Sequence, residues 1–274
     1  MKTLVSLDTQ LQCRTVFISD VHLGFPGCSA DYLTDFLDSV KCETLYLVGD
    51  IVDFWYMRKR RYWPDAHSRV LQAITDKARG GTRVILVPGN HDEAFRTFDR
   101  LQMGNIEIIN QAIHVTGDGR RILVLHGDQF DSVVRCSPAI AMLGRVLYAV
   151  LLRINVLLNA VRRRLGKGYW SLAAFLKHKV KNAVQYIESF EDAVVKEARR
   201  HAVDGVVCGH IHRAEIRQAG GVLYMNCGDW VESCTALVER KDGRIELLQW
   251  RDRGTRLKVH ANDPKDTRPL GRVA

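Results

Sequence analysis

Five short polar clusters, each directly behind a run of β-forming apolar residues, constrain this chain more than any other feature. They are DVH at 20–22, GD at 49–50, GNHD at 89–92, HGD at 126–128 and GHIH at 209–212. Parallel strands bring the loops at their carboxyl ends to one edge of a sheet, where residues distant in sequence meet. The clusters therefore predict one site at the strand ends of an α/β fold.

The apolar runs that carry these clusters have strand length. Predicted strands cover residues 15–20, 44–50, 83–90, 121–128, 204–210 and 222–229. Helical patterns at 32–40 and 67–79 lie between the first of them, which gives the β-α-β-α order of an α/β protein. Residues 241–243, Lys-Asp-Gly, predict a hairpin turn.

Residues 132–187 differ in composition from the rest of the chain. These 56 residues include no Asp or Glu and ten Lys or Arg, and the whole chain of 274 residues has a net charge of +9. The basic excess therefore belongs to one segment and predicts contact with an anionic surface or substrate. We expect a core of residues 1–131 and 188–250, a basic, apolar helical cap at 132–187, and a flexible tail at 251–274.

Residues 139–164 are mostly apolar, so a membrane span is the first alternative. Arg145 and Arg153 argue against it, because each would cost about 2.5–3.5 kcal/mol near the bilayer centre. The pattern favours an amphipathic helix, since Arg145 and Arg163 lie five whole turns apart on one face. That helix either packs on the protein core or meets acyl chains at the membrane interface while its arginines meet phosphates.

Seven residues of the clusters are candidate ligands for two divalent metal ions. They are Asp20, His22, Asp50, Asn90, His126, His210 and His212. In DVH and GHIH the ligands alternate around one apolar residue, and on an extended strand end each pair would point to one side. Carboxylate, amide and imidazole ligands together suit Mn²⁺, Fe or Zn²⁺ better than Mg²⁺. Two such ions would bind phosphate oxygens and activate water, and we expect Mn²⁺.

Cysteine usage and the first residues bear on the compartment. Seven cysteines without a paired spacing favour thiols in a reducing compartment over a disulfide framework or a zinc knuckle. The first 13 residues lack the apolar core and the cleavage site of a secretory signal. We therefore expect a cytoplasmic location.

In this order the motifs DxH, GDxxD, GNHD, HGD and GHxH resemble the calcineurin-like metallophosphoesterase superfamily, over about residues 15–235. The resemblance implies a double β-sheet sandwich flanked by helices. It implies one metal on Asp20, His22, Asp50 and His212, and a second on Asp50, Asn90, His126 and His210. His91 would protonate the leaving group or stabilise developing charge. Asp53 would orient His91 by a carboxylate–imidazole hydrogen bond, the alternative being a helix cap or a surface residue.

The insertion between HGD and GHxH resembles that of the UDP-2,3-diacylglucosamine pyrophosphatases of lipid A synthesis. That family forms UMP and 2,3-diacylglucosamine 1-phosphate at the cytoplasmic face of the bacterial inner membrane. The resemblance implies a nucleotide-linked lipid substrate, peripheral association with an anionic membrane, and no nucleic-acid partner. Candidate substrate contacts are Asn90, His91, Lys177, Lys179, Lys181, Arg162, Arg163 and His210. For the lysines, a solvated helix face is the alternative.

His91 departs from the best-known branch of that family, which carries Arg after the metal-binding Asn. The diester is therefore either this lipid or another membrane-associated pyrophosphate or phosphodiester. A nuclease or a cyclic-nucleotide phosphodiesterase could use the same metals. A protein phosphatase would show Arg-Gly after GDxxD, where this chain has Phe54 and Trp55. A binding scaffold would lack some ligands, so the intact set predicts an enzyme.

Overall fold

The structure of the chain, a computed structural model, describes residues 11–131, 181–252 and 255–261, together with positions 159, 162 and 164. Helices in these ranges are α1 (Ala30–Ser39), α2 (Phe54–Met57), α3 (Asp65–Arg79) and α4 (Lys181–Arg200), with 3-10 turns at Glu93–Phe98 and Asp128–Phe130. The strands are β1 (Leu11–Ile18), β2 (Val40–Val48), β3 (Arg83–Val87), β4 (Gln102–Met103), β5 (Ile106–Ile108), β6 (Ala112–Val115), β7 (Arg121–Val124), β8 (Gly205–Cys208), β9 (Glu215–Ala219), β10 (Val222–Asn226), β11 (Thr235–Glu239), β12 (Ile245–Asp252) and β13 (Thr255–Ala261).

The strands of the described ranges form two sheets. The larger has eight strands in the order β13-β12-β11-β1-β2-β3-β5-β4, and the smaller has five in the order β6-β7-β8-β10-β9. Strands β1, β2, β3 and β5 run parallel, as do β7, β8 and β10. The carboxyl ends of the parallel strands in each sheet therefore share one edge.

Central strands are buried on both faces, which explains why they appear in the sequence as continuous apolar runs. Val16 and Ile18 of β1 belong to a core shared with α1 and α3. Phe17 between them belongs to a second core, together with Ile122 and Val207 of the smaller sheet. The two sheets thus form a sandwich with helices on the outer face of the larger one, and the predicted α/β double-sheet class is confirmed.

The predicted strands and helices are present with shifted bounds. Each of the six predicted strands ends two to four residues earlier than expected, because the polar clusters belong to the loops that follow. Helices α1 and α3 begin two residues earlier than their patterns suggested. The hairpin predicted at 241–243 joins β11 to β12, where Glu239 pairs with Ile245.

The C-terminal segment departs from the flexible tail predicted at 251–274. Strand β13 pairs antiparallel with β12 and adds an edge strand to the larger sheet. Residues 255–261 are T-R-L-K-V-H-A, and apolar residues at every second position have the period of a strand. The basic residues between them hid this pattern. Residues 262–274 lie outside the described part.

The chain divides into two compact units. One comprises Met1–Asp128 and Val195–Ala274, and the other is Gln129–Val194. The second unit contains the basic segment 132–187, and most of that segment, including residues 139–158 of the predicted amphipathic helix, lies outside the described residues. Its function as a cap stays a prediction. Among the residues that are described, no helix has the length and apolar character to cross a membrane.

Candidate metal centre

All seven predicted ligands lie in loops that directly follow parallel strands. The larger sheet carries Asp20, His22, Asp50 and Asn90 after β1, β2 and β3. The smaller sheet carries His126, His210 and His212 after β7 and β8. The site is therefore assembled from both sheets of the sandwich, at the edge where their parallel strands end.

Backbone conformation distinguishes these loops from the rest of the fold. Eight non-glycine residues in the described ranges have a positive φ, and five of them are predicted ligands. They are Asp20, His22, Asp50, His210 and His212, with φ between 52° and 69°. A left-handed residue with a side chain costs on the order of 1–3 kcal/mol and persists only where its surroundings enforce it. Strain of this kind is typical of functional sites.

The same left-handed conformation corrects one step of the sequence argument. The ligands of DVH and GHIH do not alternate along an extended strand, because β1 ends at Ile18 and β8 ends at Cys208. Hydrogen bonds between loops position the first pair instead. The backbone N–H of Asp20 donates to the Gly49 carbonyl at 3.0 Å, and that of His22 donates to the Asp50 carbonyl at 2.9 Å.

One group of ligand atoms comes from Asp20, His22 and His212, and these atoms lie within 4.8 Å of one another. His212 Nε2 is 3.2 Å from Asp20 Oδ1. The rings of His22 and His212 stack with centres 5.3 Å apart. Asp20 and His22 are buried. This group holds three of the four residues predicted for one metal site, the fourth being Asp50.

The second group comes from Asp50, His126 and His210, again within 4.8 Å. His126 Nδ1 donates to the Val48 carbonyl at 3.0 Å, which leaves Nε2 facing Asp50 Oδ2 at 3.4 Å. His22 Nε2 of the first group is 3.9 Å from the same oxygen. Asp50 therefore stands between the two groups, in the position of a bridging carboxylate.

Four buried polar atoms at this edge have no hydrogen-bond partner among the described residues. They are Asp20 Oδ1, His22 Nε2, Asn90 Oδ1 and His126 Nε2. Three of them lie 3.2–3.9 Å from an imidazole or carboxylate atom without forming a hydrogen bond, and such a concentration of buried atoms without hydrogen bonds indicates a partner of another kind. Carboxylate, amide and imidazole atoms are ligands of divalent transition metals. The arrangement fits two divalent cations, one on either side of Asp50.

Electrostatics at the centre also favour added positive charge. Burial raises the pKa of Asp20 to about 6. Burial alone would lower the pKa of His126, but the charges of Asp50 and Asp20 raise it to about 10. The pKa of His22 rises to about 9, because the hydrogen bond to Asp53 and the nearby carboxylates outweigh burial. Divalent cations would supply the positive charge that protonated His22 and His126 otherwise provide beside the buried carboxylates.

His91 and Asp53 lie beside the two groups. His91 Nδ1 donates to Asp53 Oδ1 at 2.9 Å, and His22 Nδ1 donates to the other oxygen at 3.2 Å. Asp53 also accepts from the Tyr56 backbone N–H at 2.8 Å and so caps α2. The carboxylate thus combines the helix cap with the contact to His91. His91 Nε2 is 4.0 Å from Asp50 Oδ2, within reach of a cation as well as of a substrate.

The importance of Asp92 was missed in the sequence analysis, although it belongs to the GNHD cluster. Its buried carboxylate accepts from the backbone N–H groups of Gly89 at 2.6 Å and Ile51 at 2.7 Å. Asp92 therefore ties the loop after β3 to the loop after β2, which carries Asp50. The signal was its place in the cluster, but a backbone contact of this kind cannot be recognised from residue type.

Asp229 was also missed. It follows β10 and accepts from the backbone N–H groups of Val231 at 2.9 Å and Ser233 at 3.0 Å. Its Oδ2 lies 3.9 Å from His212 Nδ1. Gly228 and Asp229 after a strand repeat the pattern of the GD cluster at 49–50, and this signal could have found it.

The predicted substrate contacts fall into three sets. Asn90, His91 and His210 lie at the centre. Arg163, Lys177 and Lys179 lie outside the described residues. Arg162 is half-buried and Lys181 is the first residue of α4, and both belong to the second unit. Contact of this basic segment with substrate stays a prediction.

Comparisons with known proteins agree with the geometry. Residues 13–214 match the family described as calcineurin-like phosphoesterase. A protein named UDP-2,3-diacylglucosamine hydrolase from Serratia proteamaculans is 26% identical, covering 91% of this chain and 96% of its own. A protein of the same name from Pectobacterium carotovorum is 24% identical over 89% and 94%. The solved structure of Chaetomium thermophilum Vps29 is 13% identical, covering 90% of this chain and 95% of its own, with a TM-score of 0.46.

Proposed function

The chain belongs to the calcineurin-like phosphoesterase family, and from that premise we propose that it hydrolyses the pyrophosphate bond of UDP-2,3-diacylglucosamine to UMP and 2,3-diacylglucosamine 1-phosphate. The observation that carries the hydrolytic part is the position of Asp50 Oδ2 between imidazoles of the two ligand groups, at 3.4 and 3.9 Å. The choice of substrate is supported by the name that the relatives share and by their coverage of nearly the whole chain.

The proposed ligand sets are those that the family resemblance implies. One divalent cation would be held by Asp20, His22, Asp50 and His212, and the other by Asp50, Asn90, His126 and His210. When bound, the cations supply Lewis acidity for the phosphate and activation of water. Their proposed identity is Mn²⁺, because the carboxylate and amide oxygens of the set suit Mn²⁺ and its four imidazoles argue against Mg²⁺.

Proton transfer to the leaving group is assigned to His91. Water attacks one phosphorus and loses a proton to solvent, the bridging P–O bond breaks, and the leaving oxygen takes a proton from His91 Nε2, which solvent then restores. Asp53 would hold Nδ1 at 2.9 Å and so keep Nε2 directed to the centre. The His91 side chain is 25% exposed, so it is open to a substrate that enters from solvent.

The proposed place of action is the cytoplasmic face of the bacterial inner membrane. A diacylated substrate resides in a bilayer, and the acid-free segment 132–187 carries ten cations that match anionic headgroups. Arg162, Arg163, Lys177, Lys179 and Lys181 remain the proposed contacts to phosphate. The enzyme would thus meet its substrate without leaving the membrane surface.

A single assay tests the substrate. The purified chain is incubated with Mn²⁺ and either UDP-2,3-diacylglucosamine, bis(p-nitrophenyl) phosphate, a cyclic nucleotide or DNA, and the release of UMP or other products is followed. We expect UMP from the lipid substrate at the highest kcat/KM. Preferred cleavage of the cyclic nucleotide or DNA would contradict the lipid substrate and leave the metallophosphoesterase chemistry intact.

A matched pair of variants tests the site. Asp50→Asn should abolish UMP release, whereas Asp65→Asn, at an exposed position in the first turn of α3, should leave it unchanged. Full activity of Asp50→Asn, or of the wild-type chain after removal of metal with a chelator, would refute the two-metal proposal.

A further inference from the structure

We propose that residues 54–63, which we call the basic–aromatic segment, dock the protein on an anionic lipid bilayer. The segment is F-W-Y-M-R-K-R-R-Y-W and lies between Asp53 and Pro64. The segment is separate in sequence from residues 132–187, and the proposal does not depend on the identity of the substrate.

Four consecutive cations occupy the middle of the segment. They are Arg58, Lys59, Arg60 and Arg61, and all four are exposed. Within the described ranges none of them forms an ion pair, and no Asp or Glu occurs in the sequence between Asp53 and Asp65. Other exposed arginines of the same unit are paired, such as Arg69 with Asp31 at 2.8 Å. Four adjacent unpaired cations repel one another and fit an anionic partner.

Three aromatic side chains flank these cations and are partly exposed. Trp55 is 38% exposed, Tyr62 37% and Trp63 38%. Indole and phenol rings concentrate where proteins meet the boundary between lipid headgroups and acyl chains, because they are amphipathic. Cations that meet headgroup phosphates beside rings that enter the interface are the composition of a membrane-surface site.

The segment contacts the metal centre directly at its start and, at its end, through His67 of α3. At its start the Trp55 ring packs against His91, with ring centres 4.5 Å apart. At its end the Trp63 ring packs edge-to-face with His67 at 5.6 Å. His67 is buried, and its Nδ1 accepts a hydrogen bond of 2.9 Å from the backbone N–H of Gly24, in the loop that follows DVH. A bilayer bound here would lie next to His91.

Nucleic acid is the other anionic partner that combines charge with stacking, and the ring geometry disfavours it. Single strands bind where separate aromatic faces accept successive bases. Tyr62 and Trp63 instead both pack edge-to-face on the same His67, at 5.7 and 5.6 Å. Because both rings are engaged with one histidine, they do not offer separate faces to successive bases.

Partition into vesicles tests the charge. The full chain and the variant R58Q/K59Q/R60Q/R61Q are mixed with vesicles of equal parts phosphatidylglycerol and phosphatidylcholine, and the bound fraction is measured by sedimentation. Since each cation at such a surface contributes about 1 kcal/mol, we expect the partition coefficient to fall by about tenfold or more. Binding through residues 132–187 does not mask the loss, because independent contributions multiply.

The matched control removes the same charge elsewhere. R79Q/K196Q/R200Q/K241Q neutralises four exposed, scattered cations and should change the partition coefficient by no more than about twofold, because cations held away from the surface gain little from it. An equal loss in both variants, or no loss in the first, would overturn the proposal. Loss of binding to a single-stranded DNA probe with unchanged vesicle binding would overturn it in favour of nucleic acid. Circular dichroism of each variant confirms that it is folded.

Insertion of the rings is tested independently of charge. Phospholipids with brominated acyl chains quench tryptophans that enter the interface, and Trp63→Phe should reduce the quenched part of the fluorescence. Quenching of the same absolute size in both proteins would refute insertion of Trp63. Asp50→Asn should partition like the wild type, so loss of hydrolysis together with normal binding separates this proposal from the proposed function.

Discussion

Two buried carboxylates of this fold differ in how many of their oxygens accept hydrogen bonds from the protein. Glu239 on β11 has no exposed surface, and each of its oxygens accepts hydrogen bonds. The donors are Arg14 Nη1, His114 Nε2 and the backbone N–H of Gly117, at 2.7–2.8 Å. Asp20 is just as buried, yet only its Oδ2 accepts a hydrogen bond, from the His210 backbone N–H at 3.0 Å. Its Oδ1 has no hydrogen-bond donor among the described residues.

The pKa values of the two carboxyls differ accordingly. Burial raises the pKa of Asp20 to about 6, and the nearby histidines offset only part of that shift. Burial would also raise the pKa of Glu239, but hydrogen bonds from His114, Thr15 and Gly117 hold it below its ordinary value. A buried charge that the protein satisfies by itself serves stability. Asp20 Oδ1 accepts no hydrogen bond from the part of the chain that the structure describes and lies 3.2 Å from the His212 imidazole, so it is placed to bind a cation.

The largest effect on turnover should come from removing the charge of Asp50 at the metal centre. Asp50→Asn keeps the shape of the side chain and removes the charge that faces both ligand groups. We expect phosphodiester turnover with Mn²⁺ to fall by about 10³-fold or more, the upper end of the effect of one lost electrostatic contact. Glu239→Gln should keep its turnover. A comparable loss of turnover in this variant would contradict the distinction between the metal centre and the hydrogen-bonded Glu239.

The next largest effect should come from His91→Gln. We expect turnover to fall by about 10²-fold or more, because a general acid contributes at least that factor. Asp53→Asn should lose about 10- to 100-fold, as expected for a residue that orients another. The pH profile of kcat separates the two roles. His91→Gln should remove the limb assigned to the acid, whereas Asp53→Asn should shift that limb and retain it. Loss of the limb in Asp53→Asn would assign the proton to the carboxyl instead.

Addition of Mn²⁺ should stabilise the protein only when the carboxylates of the metal centre are intact. At a free Mn²⁺ concentration of about 100 times Kd, binding to the folded state adds about 2.7 kcal/mol to the free energy of unfolding. We expect a matching rise in Tm that a chelator reverses and that Asp50→Asn largely lacks. A rise of equal size in Asp50→Asn would show that Mn²⁺ binds elsewhere.

How much of this site the sequence could predict depends on how far each interaction reaches along the chain. Asp20, Asp50 and Asn90 were found because each directly follows an apolar run of strand length. The left-handed backbone of Asp20 and Asp50 could not be foreseen, since it results from hydrogen bonds such as that of Asp20 N–H to Gly49 O. The contact between His114 and Glu239 joins residues 125 positions apart, and the two residue types do not predict it.

The fold was predicted best where burial dominates. Strands β1, β2 and β3 are buried on both faces, so their apolar runs stood out. Strand β13 was missed because it lies at the edge of the larger sheet, where alternating Arg256, Lys258 and His260 resembled a charged tail. Edge strands commonly carry such residues, which discourage pairing with other chains.

Removing the satisfied carboxylate should affect stability and leave chemistry intact. Glu239→Gln should lower the free energy of unfolding by about 1–3 kcal/mol, because buried donors lose a charged acceptor. Denaturation in urea measures this, and turnover should remain at the wild-type level. Glu107→Gln is the matched control, since Glu107 pairs with exposed Arg83 at the surface and such pairs contribute about 0–1 kcal/mol. Equal losses in the two variants would contradict the special status of Glu239.

The smallest effect is the pH dependence of that stability. Since the pKa of Glu239 in the folded protein lies below the ordinary 4.5, its stabilisation is complete above that value and is lost as pH falls through the lower folded value. The difference in unfolding free energy between wild type and Glu239→Gln, measured with a chelator present, should therefore be largest near neutral pH and shrink in acid. If the difference stayed constant into acid, shape and neutral hydrogen bonds would account for the stabilisation. The contrast with Asp20 would then have no electrostatic basis.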